Sequence, residues 1–244
     1  MDSMTSKHYL RSIEFMHDNH ACVNQFPFTL PAFLSLDYLD FHPQVTFIIG
    51  ENGTGKSTLL EAIAIAAGFN PEGGTRNFTF YSKDSHSQLH EHIRLIRGHK
   101  KPKDGFFLRA ESFYNFATQV DELKVAHSYG GRSLHEQSHG EAFFSTFMNR
   151  FQGNGLYILD EPEAALSPMR QMAMISRIHD LVRQQSQFII ATHSPIIIGY
   201  PNATILQITE KGIESVAYEQ TEHYAVMKEF INNHQRMLAI LLAD

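Results

Sequence analysis

Apolar residues fall along this chain in short, near-continuous runs separated by stretches with helical spacing. Val45 to Ile49 is a β-rich apolar run, the pattern of a strand buried on both faces. Gly105 to Ala110, Leu156 to Leu159 and Phe188 to Ala191 read as strands of the same kind. Ser57 to Ala67 predicts a helix closed by Gly68, and Glu111 to Lys124 repeats Phe113, Phe116 and Val120 at helical intervals. Further helices are predicted over Gly140 to Phe151 and Met169 to Gln185. Ala203 to Tyr218 predicts two strands around the Lys211-Gly212 turn. Thr221 to Leu242 reads as an amphipathic helix whose simplest role is to dock on the body. Upstream, β-like runs cover His8 to Phe15, Ala21 to Leu30 and Leu36 to Phe41, while polar Asn70 to Asp104 reads as a surface excursion. Strands alternating with helices imply a mostly parallel sheet with helices on both faces.

At 244 residues the chain fits one α/β domain with a sizeable core. A net charge of −6 argues against a generally basic nucleic-acid coat without excluding a local basic groove. The basic cluster from Arg94 to Lys103 reads most simply as a solvated loop, with contact to nucleic acid or an acidic partner as the alternative. Cys22 is the single cysteine, so no internal disulfide forms and a reducing compartment is expected. The first residues lack an apolar targeting core, and Leu59 to Phe69 is too short and too interrupted to span a bilayer. A soluble, cytoplasmic protein without membrane insertion is the expectation.

The candidate chemistry gathers at strand ends. Gly50 to Ser57 fits G-x-x-x-x-G-K-[ST], placed after a buried strand and before a helix. Glycines there let backbone N–H groups of Gly50, Glu51, Asn52, Gly53, Thr54 and Gly55 face phosphate oxygens, and the helix N-terminus at Lys56 to Thr58 adds partial positive charge. Lys56 is suited to the β- and γ-phosphates and the Ser57 hydroxyl to Mg²⁺. The ligand implied is a nucleoside triphosphate.

Leu156 to Leu159 ends in Asp160 and Glu161, at the edge where open α/β sheets bind ligands. Asp160 is a candidate Mg²⁺ ligand, and Glu161 a candidate for orienting or deprotonating an attacking water. His193 follows Phe188 to Ala191 in the same way and is placed to report a γ-phosphate. Ser138, Gly140 and Glu141 open a helix after a glycine-rich loop and form a second anion-binding helix start, although a plain N-cap fits them as well.

These motifs, in this order, resemble the ATP-binding-cassette ATPases, and their form resembles the SMC/RecF-like branch, in particular short stand-alone ATPases of bacterial type. The resemblance implies a P-loop NTPase fold of ABC-ATPase type with a mostly parallel core sheet, an N-terminal antiparallel β part and a small helical subdomain. It implies one domain over 1–244, with a core lobe at about 1–80 and 145–244 and a helical, signature-bearing subdomain at about 81–144. It further implies ATP and Mg²⁺ as cofactors, and a head-to-tail homodimer in which Ser138, Gly140 and Glu141 of one copy meet the γ-phosphate held by the other. Glu161 is then the general base and His193 the switch.

Two departures stand out. The expected glutamine after the second core strand is missing, and Glu111 is the positional substitute, a further candidate Mg²⁺ ligand. Ser167 stands where transporter cassettes usually carry an acid. The roughly 80 residues between Lys56 and Ser138 hold no sustained heptads, so a compact head without a coiled-coil arm is expected. The function expected is an ATP-hydrolysing switch acting on an unidentified protein or nucleic-acid partner. The alternative is the energy-coupling subunit of a membrane transporter.

Overall fold

The computed structural model describes residues 8–16, 26–34, 36–76 and 87–243. The chain enters through strand β1 (Leu10–Phe15), a short turn of helix α1 (Pro31–Leu34) and strand β2 (Tyr38–Asp40). Strand β3 (Val45–Ile49) leads into helix α2 (Lys56–Ala66), followed by strands β4 (Ile93–Arg97) and β5 (Asp104–Arg109). Helices α3 (Phe113–Glu122) and α4 (His139–Arg150) precede strand β6 (Gly155–Asp160), helix α5 (Pro168–Arg183) and strand β7 (Gln187–Ala191). Helix α6 (Pro195–Ile198), strands β8 (Thr204–Thr209) and β9 (Gly212–Val216) and helix α7 (Glu222–Leu241) complete it.

Six strands form the core sheet in the order β5-β6-β7-β3-β8-β9, parallel except for the β8–β9 hairpin. Alternation along each strand sends side chains to two separate cores. Val45, Phe47, Ile49, Tyr157, Leu159, Phe188 and Ile190 pack on one face, under α3, α4, α5 and α6. Ile48, Leu156, Ile158, Ile189 and Ala191 pack on the other, against α2 and a small antiparallel sheet of order β2-β1-β4. With both faces covered, β3, β6 and β7 have no exposed position, which is why they read as apolar runs rather than alternating ones.

Four sequence expectations shift. Residues 21–25 of the second β-like run lie outside the described residues, and its remainder forms turns at Pro27 to Leu30. The excursion from Asn70 to Asp104 is not all surface: β4 pairs antiparallel with β1 and buries Ile93. Its Arg94 faces Glu14 across the pair, so a charge that read as loop is a cross-strand ion pair. The 81–144 interval is likewise not helical throughout, since β4 and β5 lie within it and the helical part begins at Phe113. Finally, α7 does not dock along its length. It has no buried residue, bends at Asn233, and exposes Val226, Ile231 and Leu241.

Candidate functional site

The parallel strands β3, β6 and β7 stop at one edge, and the candidate motifs follow them there. Gly50 takes φ 152°, and a Cβ on it would stand 2.7 Å from the Ile208 carbonyl oxygen, so the loop leaves β3 through a gap only glycine fits. Gly53 and Gly55 also have positive φ, and Gly55 caps α2. Lys56 turns back on its own loop and donates to the carbonyl oxygens of Gly50 (2.9 Å) and Glu51 (2.8 Å). Burial lowers its pKa, against the pull of Glu161, Asp160 and Glu163.

Ser57 donates to Asp160 across 3.0 Å, joining the start of α2 to the end of β6. Asp160 is 4 % exposed, and burial lifts its pKa to about 6, partly opposed by Arg109 and the Ser57 hydrogen bond. A carboxylate so buried lacks adequate compensation and fits a cation beside it. The oxygen donors of Ser57 and Asp160 suit Mg²⁺. Among the described residues no group of three or more His, Cys, Asp or Glu side chains gathers as a complete metal cage, so a cation there would also need phosphate oxygens or water.

Glu161 sits at φ 49°, a strained left-handed conformation, and its side chain is half-buried. Its carboxylate lies 3.8 Å from His193 Nε2. The His193 backbone N–H donates to Glu163 Oε1 at 2.6 Å, which fixes the loop after β7 to the loop after β6. Burial lowers the pKa of His193, which favours the neutral imidazole. An open cavity of about 1000 Å³ lies in front of the phosphate loop, lined by Gly50, Glu51, Asn52, Thr54, His193 and the first turns of α7, among others.

Glu111 is drawn to this edge through Arg109. The guanidinium donates to Glu61 (2.6 Å) and Glu111 (3.0 Å), and its Nε stands 3.7 Å from Asp160. The Glu111 side chain is 82 % exposed. Ser138, Gly140 and Glu141 are not brought to the loop of their own chain, and none of them lines its cavity. They form a capping box: Ser138 accepts from the Glu141 N–H at 3.4 Å, and the Glu141 carboxylate accepts from the Ser138 N–H at 3.1 Å. A Cβ at Gly140 would collide with the Ala165 carbonyl oxygen at 2.2 Å, so this helix start is packed against the loop following Glu161.

Arg109, Glu163 and His223 join the site without having been singled out in the sequence. Each has a partner 30 or more positions away, and no local pattern announces such a pairing.

A family model described as an AAA domain matches residues 32–152, and one described as an AAA ATPase domain matches residues 138–198. The chain carries an ATP-binding domain of AAA/ABC P-loop ATPase type. An uncharacterized ABC transporter ATP-binding protein of Haemophilus influenzae is 27% identical to this ATPase domain over 174 residues. That match spans 62% of this chain and 65% of the relative's length, less than two thirds of it. Among solved structures, cbiO1 from Clostridium perfringens, part of the ABC transporter complex cbiONQ, superposes with a TM-score of 0.50. At 17% identity it covers 94% of this chain and 97% of that one, a likeness of fold. The SMC head domain from Thermotoga maritima aligns at TM-score 0.42 and 15% identity over 85% of this chain and 99% of that one. No helix among the described residues of the ATPase domain is long and apolar enough to cross a membrane.

Proposed function

We propose that this domain hydrolyses ATP, and that ATP holds two copies head to tail as a switch on a protein or nucleic-acid partner in the cytoplasm. The observation that carries the reading is the convergence of Asp160, Glu161 and His193 on the phosphate loop, from the ends of two neighbouring strands. The loop N–H groups of residues 50–55 and the Lys56 ammonium hold the triphosphate, so Lys56 exchanges its two loop carbonyls for phosphate oxygens. Ser57 and Asp160, with Glu111 in reach of the same edge, would hold Mg²⁺, which when bound neutralises charge on the β- and γ-phosphates.

Glu161 then orients a water and accepts its proton while the water oxygen bonds to the γ-phosphorus and the bond to the bridging oxygen breaks. His193, neutral, donates an N–H toward a γ-phosphate oxygen. In this reading the helical part from α3 to α4 is the signature-bearing subdomain, and Ser138, Gly140 and Glu141 serve the partner copy. Two features support that: they stand outside their own cavity, and Gly140 rests on the loop after Glu161.

The test is phosphate release with Mg-ATP. Wild type is expected to turn over, and Glu161→Gln to bind a fluorescent ATP analogue with unchanged affinity while losing about 100-fold or more in rate. Wild-type turnover in the Glu161→Gln variant contradicts the assignment of Glu161.

A further inference from the structure

Two histidines from different elements meet in front of the phosphate loop. His223, in the first turn of α7, places Nε2 3.4 Å from Nδ1 of His193, with ring centroids 5.6 Å apart. Both rings line the same cavity as Gly50 to Asn52. Each ring also holds a buried nitrogen without a hydrogen-bond partner, Nε2 of His193 and Nδ1 of His223. Buried polar atoms left open in this way mark either a cost or a place for a ligand. The open atom of His193 points toward Glu161, where the terminal phosphate is placed in the reading above.

The two rings fix each other's protons. For His193 to donate from Nε2 to a phosphate oxygen, its neutral ring must leave Nδ1 bare, as an acceptor. The ring nitrogen facing Nδ1 is Nε2 of His223, so that nitrogen must carry the N–H. His223 then stands to His193 as an orienting group stands to a general base, choosing its tautomer and holding its plane.

The helix that carries His223 is otherwise loosely held. Thr221 caps it by accepting from the Tyr224 N–H at 3.2 Å, and Tyr218 beside it bonds to the Pro195 carbonyl at 2.7 Å. Along its whole length, Glu222–Leu241, α7 has no buried residue. Whatever moves His223 is therefore transmitted to a helix with little else to restrain it.

We propose that His223 is a positioning residue of the nucleotide site, holding His193 in its Nε2-protonated form and linking helix α7 to the terminal phosphate. The proposal rests on the reading of the site as ATP-hydrolysing, and its test separates the two. In the full chain, His223→Ala is expected to lower kcat about 10-fold with KM changed by less than about 2-fold. His223→Gln, whose amide can donate to Nδ1, is expected to recover most of that loss.

In parallel, amide hydrogen exchange is followed over residues 222–231 in the Glu161→Gln background. ATP, but not ADP, is expected to slow exchange there by at least about 2-fold. That response should vanish in His223→Ala and in His193→Ala, the second of which leaves α7 unaltered. Wild-type kcat in His223→Ala, no recovery in His223→Gln, or an ATP response that survives both alanine variants overturns the proposal. A wild-type chain that does not hydrolyse ATP overturns the function proposed above, and the exchange measurement then decides this inference alone.

Discussion

The two ends of the six-stranded sheet bury polar groups to opposite effect. At the amino end, Gln187 accepts from the N–H groups of Tyr9 (3.0 Å) and Leu10 (2.9 Å) and donates to the carbonyls of Leu10 (2.7 Å) and His42 (3.0 Å). Its amide is used in full, and it clamps β1 to the core. Tyr157 nearby donates to Asp104 at 2.7 Å, and Arg150 meets the same carboxylate at 3.0 and 3.1 Å. At the carboxyl end the same strands close on groups that remain open. Asp160 is a buried acid with a raised pKa, and Glu163, His193 and His223 each keep a buried atom without a partner. A satisfied buried network stabilises a fold, whereas an unsatisfied one lowers stability unless something binds. The contrast separates the scaffold from the site using strands of nearly identical sequence character.

Stability measurements can break that comparison. Gln187→Leu leaves two buried N–H groups and two carbonyls unpaired, and is expected to lower unfolding free energy in urea by about 3–4 kcal/mol. A loss below about 1 kcal/mol would mean that the amino end is no better closed than the site.

Asp160→Asn is expected to act with the opposite sign. Because folding raises the Asp160 pKa from 3.8 to about 6, the folded chain binds the proton more tightly than the unfolded one. Its contribution therefore favours folding at low pH and is lost as pH rises from about 4 through about 6. Above that range, without magnesium, the buried anion costs on the order of 2–3 kcal/mol. Asp160→Asn should recover most of this at pH 8 and little of it near pH 4. A variant less stable than wild type at pH 8 would remove the contrast between the two ends.

The parts of this molecule that were legible in sequence are those whose signal is local. Val45 to Ile49, Leu156 to Leu159 and Phe188 to Ala191 announce strands covered on both sides, and the positions after them announce in turn the loop, the Asp160-Glu161 pair and His193. Strand β4 was hidden because Arg94 and Arg97 break its apolar pattern, and one of them finds its partner only on β1. Arg109, Glu163 and His223 were hidden for a related reason. The fold brings them to the site from the ends of different elements, and their partners Glu61 and His193 lie 30 to 48 residues away. The amphipathic pattern of α7 predicts a docking face, yet periodicity records only that a face is apolar, not what covers it.

The central claim is that the carboxyl end of this sheet is half of an ATP site, completed by a second copy. Light scattering on Glu161→Gln, with and without saturating Mg-ATP, tests it most directly. The account expects the mass of two chains with ATP and of one chain without it, the shift being lost when Ser138→Arg is added. A Glu161→Gln chain that binds Mg-ATP at saturation and keeps the mass of one copy would contradict the claim.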